Sequence, residues 1–200
     1  MSMGFQYPVT LDLAGKRCLV AGEGGEAERK AAGLEAAGAV VRRTVSFSTG
    51  MLDGVFLAIL VARPAEENRR AFAECETRGV LVNCLDDAGC CRFAFPSIHR
   101  QGDLTIAVST NGACPALAVR IRETLGREYG PEYASFLEIC RSLREGLKRA
   151  VPEFEKRRAF WYRLIDAPVL ALLRGGCATE ARELAESFLE TAAKNEPRQA

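Results

Sequence analysis

Six residues, Gly22-Glu23-Gly24-Gly25-Glu26-Ala27, stand directly between an apolar run and an alanine-rich stretch, and they constrain the fold more than any other feature of the chain. Ahead of them, Arg17-Cys18-Leu19-Val20-Ala21 is short and apolar, as a strand buried in a parallel sheet must be. Behind them, residues 26–37 are rich in Ala, Glu, Arg, Lys and Leu, all good helix formers, and Gly38 stands where such a helix closes. The six residues read GxGxxA. A turn of this kind lets the backbone approach a pyrophosphate, and the helix behind it offers unpaired N–H donors and a favourable dipole. Alone the pattern is weak. Between strand and helix it makes Gly22, Gly24, Gly25 and Glu26 candidate dinucleotide-binding residues, the alternative being a tight turn that binds nothing.

Further elements follow in alternation. Val40-Val41-Arg42-Arg43-Thr44-Val45 is β-branched and predicts a second strand. Residues 55–61 form a third apolar run, 66–78 a helix ending at Gly79, 80–85 another strand and 104–109 one more. From Pro115 onward the pattern is helical, broken at Gly130-Pro131, Val151-Pro152 and Arg174-Gly175-Gly176. The expected fold is α/β: a Rossmann-like parallel sheet domain over 1–95, a connecting and dimerisation region over 96–130, and a small helical domain over 131–200. The tail 195–200 is expected to fray.

Composition narrows the function. A hydrophobic content of 48% over 200 residues allows a real core, and a net charge of +1 argues against a general nucleic-acid binder. No apolar stretch is long enough to span a bilayer, and the first residues lack the apolar segment of a secretory signal. The eight cysteines fall within apolar or helical patterns and form no CxxC pair, so reduced thiols in a cytoplasm are expected, most of them small core residues. Nothing has zinc-site spacing, and His99, the single histidine, stands beside Arg100 without a metal partner in sequence. No metal ligands are therefore assigned.

Charge around the glycine turn leaves the cofactor open. Glu23 and Glu26 put carboxylates beside the expected anion, and no acidic residue stands about 20 positions on to bind a ribose. Arg42, Arg43 and Thr44 occupy the end of the second strand instead, which suits a 2′-phosphate or simply solvent. NAD is the expected cofactor, with NADP as the alternative.

Four segments, with a late helical one, resemble the precorrin-2 dehydrogenase family, including the N-terminal module of siroheme synthases. They are Tyr7-Pro8-Val9 with Leu11 and Leu13 ahead of the first strand, and the loop and helix of residues 22–39 with Ala27-Glu28-Arg29-Lys30. Next come Asn83-Cys84-Leu85-Asp86 with Phe93-Ala94-Phe95-Pro96-Ser97, and Ile106-Ala107-Val108-Ser109-Thr110-Asn111-Gly112 with Pro115. Arg157-Arg158-Ala159-Phe160-Trp161 resembles the family's late helical segment, so the likeness runs in order from about Tyr7 to Trp161.

The resemblance implies NAD-dependent dehydrogenation of precorrin-2 to sirohydrochlorin, with insertion of ferrous iron as a second activity. Asp86 matches the family's strand-end aspartate and is the expected catalytic base; the adjacent Asp87 ranks second. Ser46 and Phe47 are assigned to the cofactor, and Asn83, Ser109, Thr110 and Asn111 to the tetrapyrrole. A flat macrocycle edged by carboxylates also calls for arginine and lysine, which Arg92, Arg100, Arg120 and Arg122 supply, as do the later helices.

The chain departs from the family in two places. Between the second strand and Val55 it has no room for the usual extra strand and helix, and a usual Thr-Asp pair reads Ala62-Arg63. Both changes lie on the cofactor side. The family's homodimer finds a candidate face in Leu117, Ala118, Ile121 and Leu125, at helical spacing, which a core helix would share. Three readings therefore stand: a precorrin-2 dehydrogenase, a chelatase or tetrapyrrole-binding protein without redox function, and a non-catalytic dinucleotide-binding module.

Overall fold

The structure is a computed structural model describing residues 7–61 and 64–194, so Ala62-Arg63 and the tail 195–200 lie outside the described residues. The chain divides into two compact units, Met1–Phe95 and Pro96–Ala200.

The first unit is a doubly wound parallel sheet. Its strands are β1 (Arg17–Ala21), β2 (Val40–Thr44), β3 (Leu57–Leu60) and β4 (Leu81–Cys84), in the order β2-β1-β3-β4. Alternation along the strands sorts the apolar side chains onto two faces. Cys18, Val20, Leu57 and Ile59 pack with Ala27, Ala31 and Leu34 of helix α1 (Gly25–Ala36). Leu19, Ala21, Ala58, Leu60, Val82 and Cys84 pack on the other face with Ala71 and Cys75 of helix α2 (Ala65–Arg78). β3 is buried along its whole length, as its uninterrupted apolar run requires. Truncating a side chain such as Leu60 there costs about 2–5 kcal/mol.

The connection from β2 to β3 holds only a short 3₁₀ turn, Thr49–Leu52, whose Leu52 plugs the core. Asp53 then ties the turn to α2 through Arg78, at 2.5 Å.

In the second unit, β5 (Ser97–Gln101) and β6 (Leu104–Val108) form an antiparallel hairpin. The sequence predicted β6 but not β5. Gly102 turns the hairpin at φ 54°, and a Cβ there would lie 2.9 Å from the Ala134 methyl. Helix α3 (Pro115–Glu128), with proline at its first position, packs on the hairpin. Helices α4 (Glu132–Ala150), α5 (Phe154–Asp166), α6 (Val169–Arg174) and α7 (Ala178–Lys194) follow. The three expected breaks fall between helices, and Ala167-Pro168 adds one more.

Phe136, Ile139, Leu143 and Leu147 form the buried stripe of α4, packed with Phe160, Leu164, Val169, Ala181 and Ala185. The two alanines, one turn apart on α7, let that helix approach closely. The described helices include none long and apolar enough to cross a membrane.

Candidate active site

Register places the glycine turn and Asp86 on one edge of the first unit's sheet. Ala21 pairs with Leu60, and Leu60 with Cys84, so the chain leaves three parallel strands along one row. Beyond it, Val61 N–H donates to Ala21 O at 2.8 Å and Leu85 N–H to Leu60 O at 2.9 Å. Strands about 4.8 Å apart put the exits of β1 and β4 roughly 10 Å from each other. β1 is flanked by β2 and β3, reached by connections running in opposite directions, and such a switch point opens a crevice beyond the carboxyl ends.

Gly22 sits at the tightest point. Its N–H donates to Thr44 O at 2.8 Å, and with φ 143° a Cβ would fall 2.6 Å from the Val61 carbonyl oxygen. Gly24, at φ 85°, begins α1 without any side-chain cap, and neither it nor Gly25 has an atom within 4 Å of an added Cβ. The first turn of α1 therefore faces open space with its donors uncapped. A cavity of about 370 Å³ lies here, lined by Gly22, Glu23, Gly24, Ala27, Glu28 and Arg43.

The charges are largely met locally. Glu26 is ion-paired with Arg29 and with Lys30 at 3.5 Å. The hydrogen bond from Arg29 holds its carboxyl below the usual range, and both cations offset its charge at the anion site. Arg43 donates to both carboxylate oxygens of Glu35, at 2.8 and 2.7 Å. Ser46 is exposed, and its carbonyl accepts from the Thr44 hydroxyl at 2.8 Å. Phe47, expected on the cofactor, instead packs its ring against the core cluster of β3, β4 and α2, the nearest apolar surface the short connection offers.

Asp86 stands at the end of β4. Asp87 N–H donates to Cys84 O at 3.1 Å, and Asp86 within that turn has φ 67°. Its carboxylate is exposed, with no hydrogen bond or ion pair among the described residues. Asp87 is half-buried and hydrogen-bonded to the Cys90 thiol, which leaves Asp86 as the carboxylate open for chemistry. Burial pushes the Cys84 thiol up to about 12 and the Cys75 thiol up to about 11, so neither acts as a nucleophile at neutral pH.

Asn83, expected on the substrate, is turned inward at 6% exposure. Its Nδ2 donates to Phe93 O at 2.7 Å, while its buried Oδ1 accepts no hydrogen bond. With the antiparallel bridge to Cys91, and Arg92 N–H donating to Val82 O at 2.8 Å, it closes the base of the loop that carries Asp86. Asn83 is thus a brace, placed inside because β4 is covered on both faces. Burial of this kind depends on tertiary packing, which the local sequence does not display.

Ser109, Thr110 and Asn111 belong to the second unit, where they follow β6. Ser109 Oγ accepts from Asn111 N–H at 3.1 Å, and Thr110 Oγ1 accepts from Cys114 N–H at 3.2 Å, bracing the start of α3. Asn111 has φ 53°. His99 is engaged through Nε2 with Tyr129 O at 2.7 Å. The described residues hold no cluster of three metal-ligating side chains.

Comparison with known proteins covers the chain from the first strand to the last helix. An NAD(P)-binding family model matches residues 9–46 and 41–97, broken where the β2–β3 connection is short. The sirohaem biosynthesis protein central model matches 101–128, and the sirohaem synthase dimerisation region matches 132–189. That last match covers α4 to α7, whereas the sequence analysis placed dimerisation at 96–130.

The siroheme synthase of Chromobacterium violaceum is 32% identical over 197 residues, covering 88% of this chain and 42% of the relative. That of Azotobacter vinelandii is 31% identical over 207 residues, covering 93% and 45%. The chain thus spans less than half the length of these relatives. The solved structure of SirC, precorrin-2 dehydrogenase, aligns with a TM-score of 0.65 at 23% identity, covering 91% of this chain and all of that one, and shows a shared fold. The NAD(P)-binding, sirohaem central and sirohaem synthase dimerisation models are thus met in order along one chain, which is similar over most of its length to part of the siroheme synthases.

Proposed function

We propose that the protein dehydrogenates precorrin-2 to sirohydrochlorin, with NAD as hydride acceptor and Asp86 as the base. The observation that carries this is the placement of one unengaged carboxylate on the same sheet edge as an uncapped glycine turn. The residues fit a dinucleotide. Gly22 lets the turn pass tightly against Val61, where a Cβ would collide, and Gly24 and Gly25 leave the helix start open. Bound there, the nicotinamide supplies a two-electron acceptor. Gly22, Gly24 and Gly25 hold the pyrophosphate against the first turn of α1, and Asp86 accepts the proton released from the substrate at a carboxylate oxygen.

Arg43, the cation lining the cavity at the glycine turn, is held by Glu35, which supports NAD over NADP. Ser109, Thr110 and Asn111 are the proposed tetrapyrrole contacts of the second unit, with Asn83 positioning the Asp86 loop. Ferrous iron is a proposed second substrate. The protein is proposed to work in the cytoplasm as a homodimer; Leu117 and Ile121, one turn apart on α3 and 50% and 38% exposed, offer apolar surface for a second copy.

The shortened β2–β3 connection favours one competing reading, tetrapyrrole binding or chelation without redox turnover. Anaerobic incubation of the purified protein with precorrin-2 and NAD separates them. Sirohydrochlorin absorbance grows if the assignment holds. Tetrapyrrole binding without NAD reduction supports the competing reading, and iron added afterwards reads chelation.

A further inference from the structure

Helices α4 and α5 of the second unit enclose a cavity of about 750 Å³ whose lining combines cations with aromatic rings. Arg144 and Lys148 stand one turn apart on α4, and Arg158, Trp161 and Tyr162 face them from α5, with Phe154 at its start. Glu145 is the one carboxylate of the lining. No ion pair or hydrogen bond engages Arg144 or Lys148 among the described residues.

The cavity is preformed. Arg157 donates to Val151 O at 3.0 Å and also to Pro152 O, which pins the turn between the helices. Trp161 is set edge-on against the buried Phe160 ring, with centroids 5.1 Å apart. Phe154, at 68% exposure, leaves an aromatic face open to solvent, and Arg158 lies 5.7 Å from the Tyr162 ring.

We propose that this cavity binds a planar, conjugated ligand edged by carboxylates, at a site that does not include Asp86. Aromatic faces suit a flat π-system, and unpaired cations at the rim suit carboxylates. The volume lies within the range of small-molecule sites. A second copy seated on this face is the competing occupant, and sedimentation of the charge variant decides between the two. A net charge of +1 argues against a general nucleic-acid binder.

The test uses the full chain and uroporphyrin III, a stable macrocycle with carboxylates around its edge, followed by Soret absorbance and calorimetry. The expected result is a binding component that weakens with salt and loses at least about tenfold in affinity in the Arg144→Glu/Lys148→Glu double variant. Thermal melting checks that this variant folds, and the milder Arg144→Gln/Lys148→Gln pair reports if it does not. Asp86→Ala keeps this component even if it abolishes turnover, so failure here and failure of the dehydrogenase assignment are told apart.

The proposal is overturned if charge removal leaves the affinity unchanged, or if a tetracationic porphyrin binds equally well. It is also overturned if the double variant raises KM for precorrin-2 in parallel, which would make the cavity part of the reaction's own site. Dissociation of a dimer by the same variant, seen in sedimentation, would assign the face to a second copy instead.

Discussion

The amide of Asp87 donates to the carbonyl of Cys84 at 3.1 Å, and the turn it closes forces Asp86 into the left-handed region at φ 67°. Aspartate enters that region more readily than most side chains, but glycine alone adopts it without steric cost. A residue kept at such a place against its own conformational preference is expected where its side chain has work to do.

Asp86→Gly should therefore separate stability from activity. Relief of strain should raise the melting temperature of the first unit by about 4–8 °C per kcal/mol gained, while loss of the base lowers turnover at least about a hundredfold. Calorimetry and an anaerobic sirohydrochlorin assay check both. An active or a destabilised Asp86→Gly protein contradicts the assigned role.

The glycines of the turn should differ in what they do. Gly22→Ala puts a methyl 2.6 Å from the Val61 carbonyl and is expected to destabilise the fold by about 2 kcal/mol or more. Gly25→Ala meets no atom within 4 Å and should leave the melting temperature unchanged. Its methyl enters the space kept for the pyrophosphate, so dinucleotide affinity measured by calorimetry should fall.

Glu35 is expected to set cofactor choice through Arg43. Glu35→Gln releases the guanidinium that Glu35 now holds at 2.7 Å, and NADP should gain on NAD by about tenfold, the scale of one charge-assisted contact. The ratio of kcat/KM for the two cofactors reads this directly. An unchanged ratio would place Arg43 away from the adenosine ribose.

Acid should loosen the helical unit through Glu132. Its carboxyl lies 2.8 Å from Arg174 Nε, and that hydrogen bond holds its pKa below the usual 4.5. Because the folded pKa is the lower one, the stabilisation is present above about pH 4.5 and is lost as pH falls through the folded value. The melting-temperature gap between the wild type and Glu132→Gln should be largest at neutral pH and close in acid.

The parallel sheet was legible because β1, β3 and β4 are apolar runs, and the glycine turn because its spacing is local. β5 was missed: Ser97-Ile98-His99-Arg100-Gln101 is polar, and its only signal was the Gly102-Asp103 pair, which suits a two-residue hairpin turn. Asp86 was legible only through resemblance, since nothing in Leu85-Asp86-Asp87 says which carboxylate the Cys90 thiol engages. The inward turn of Asn83 and Phe47 follows from packing between elements distant in sequence, which no local pattern carries.

The short β2–β3 connection leaves β2 at the border of the sheet, with Val40 at 61% exposure. A bare border strand offers its unpaired backbone groups to any other extended chain. Arg42 and Arg43 stand along that rim, and their charges discourage such pairing. The pair thus guards solubility where a larger sheet would have had another strand, and Arg43 combines that guard duty with its place in the cavity at the glycine turn.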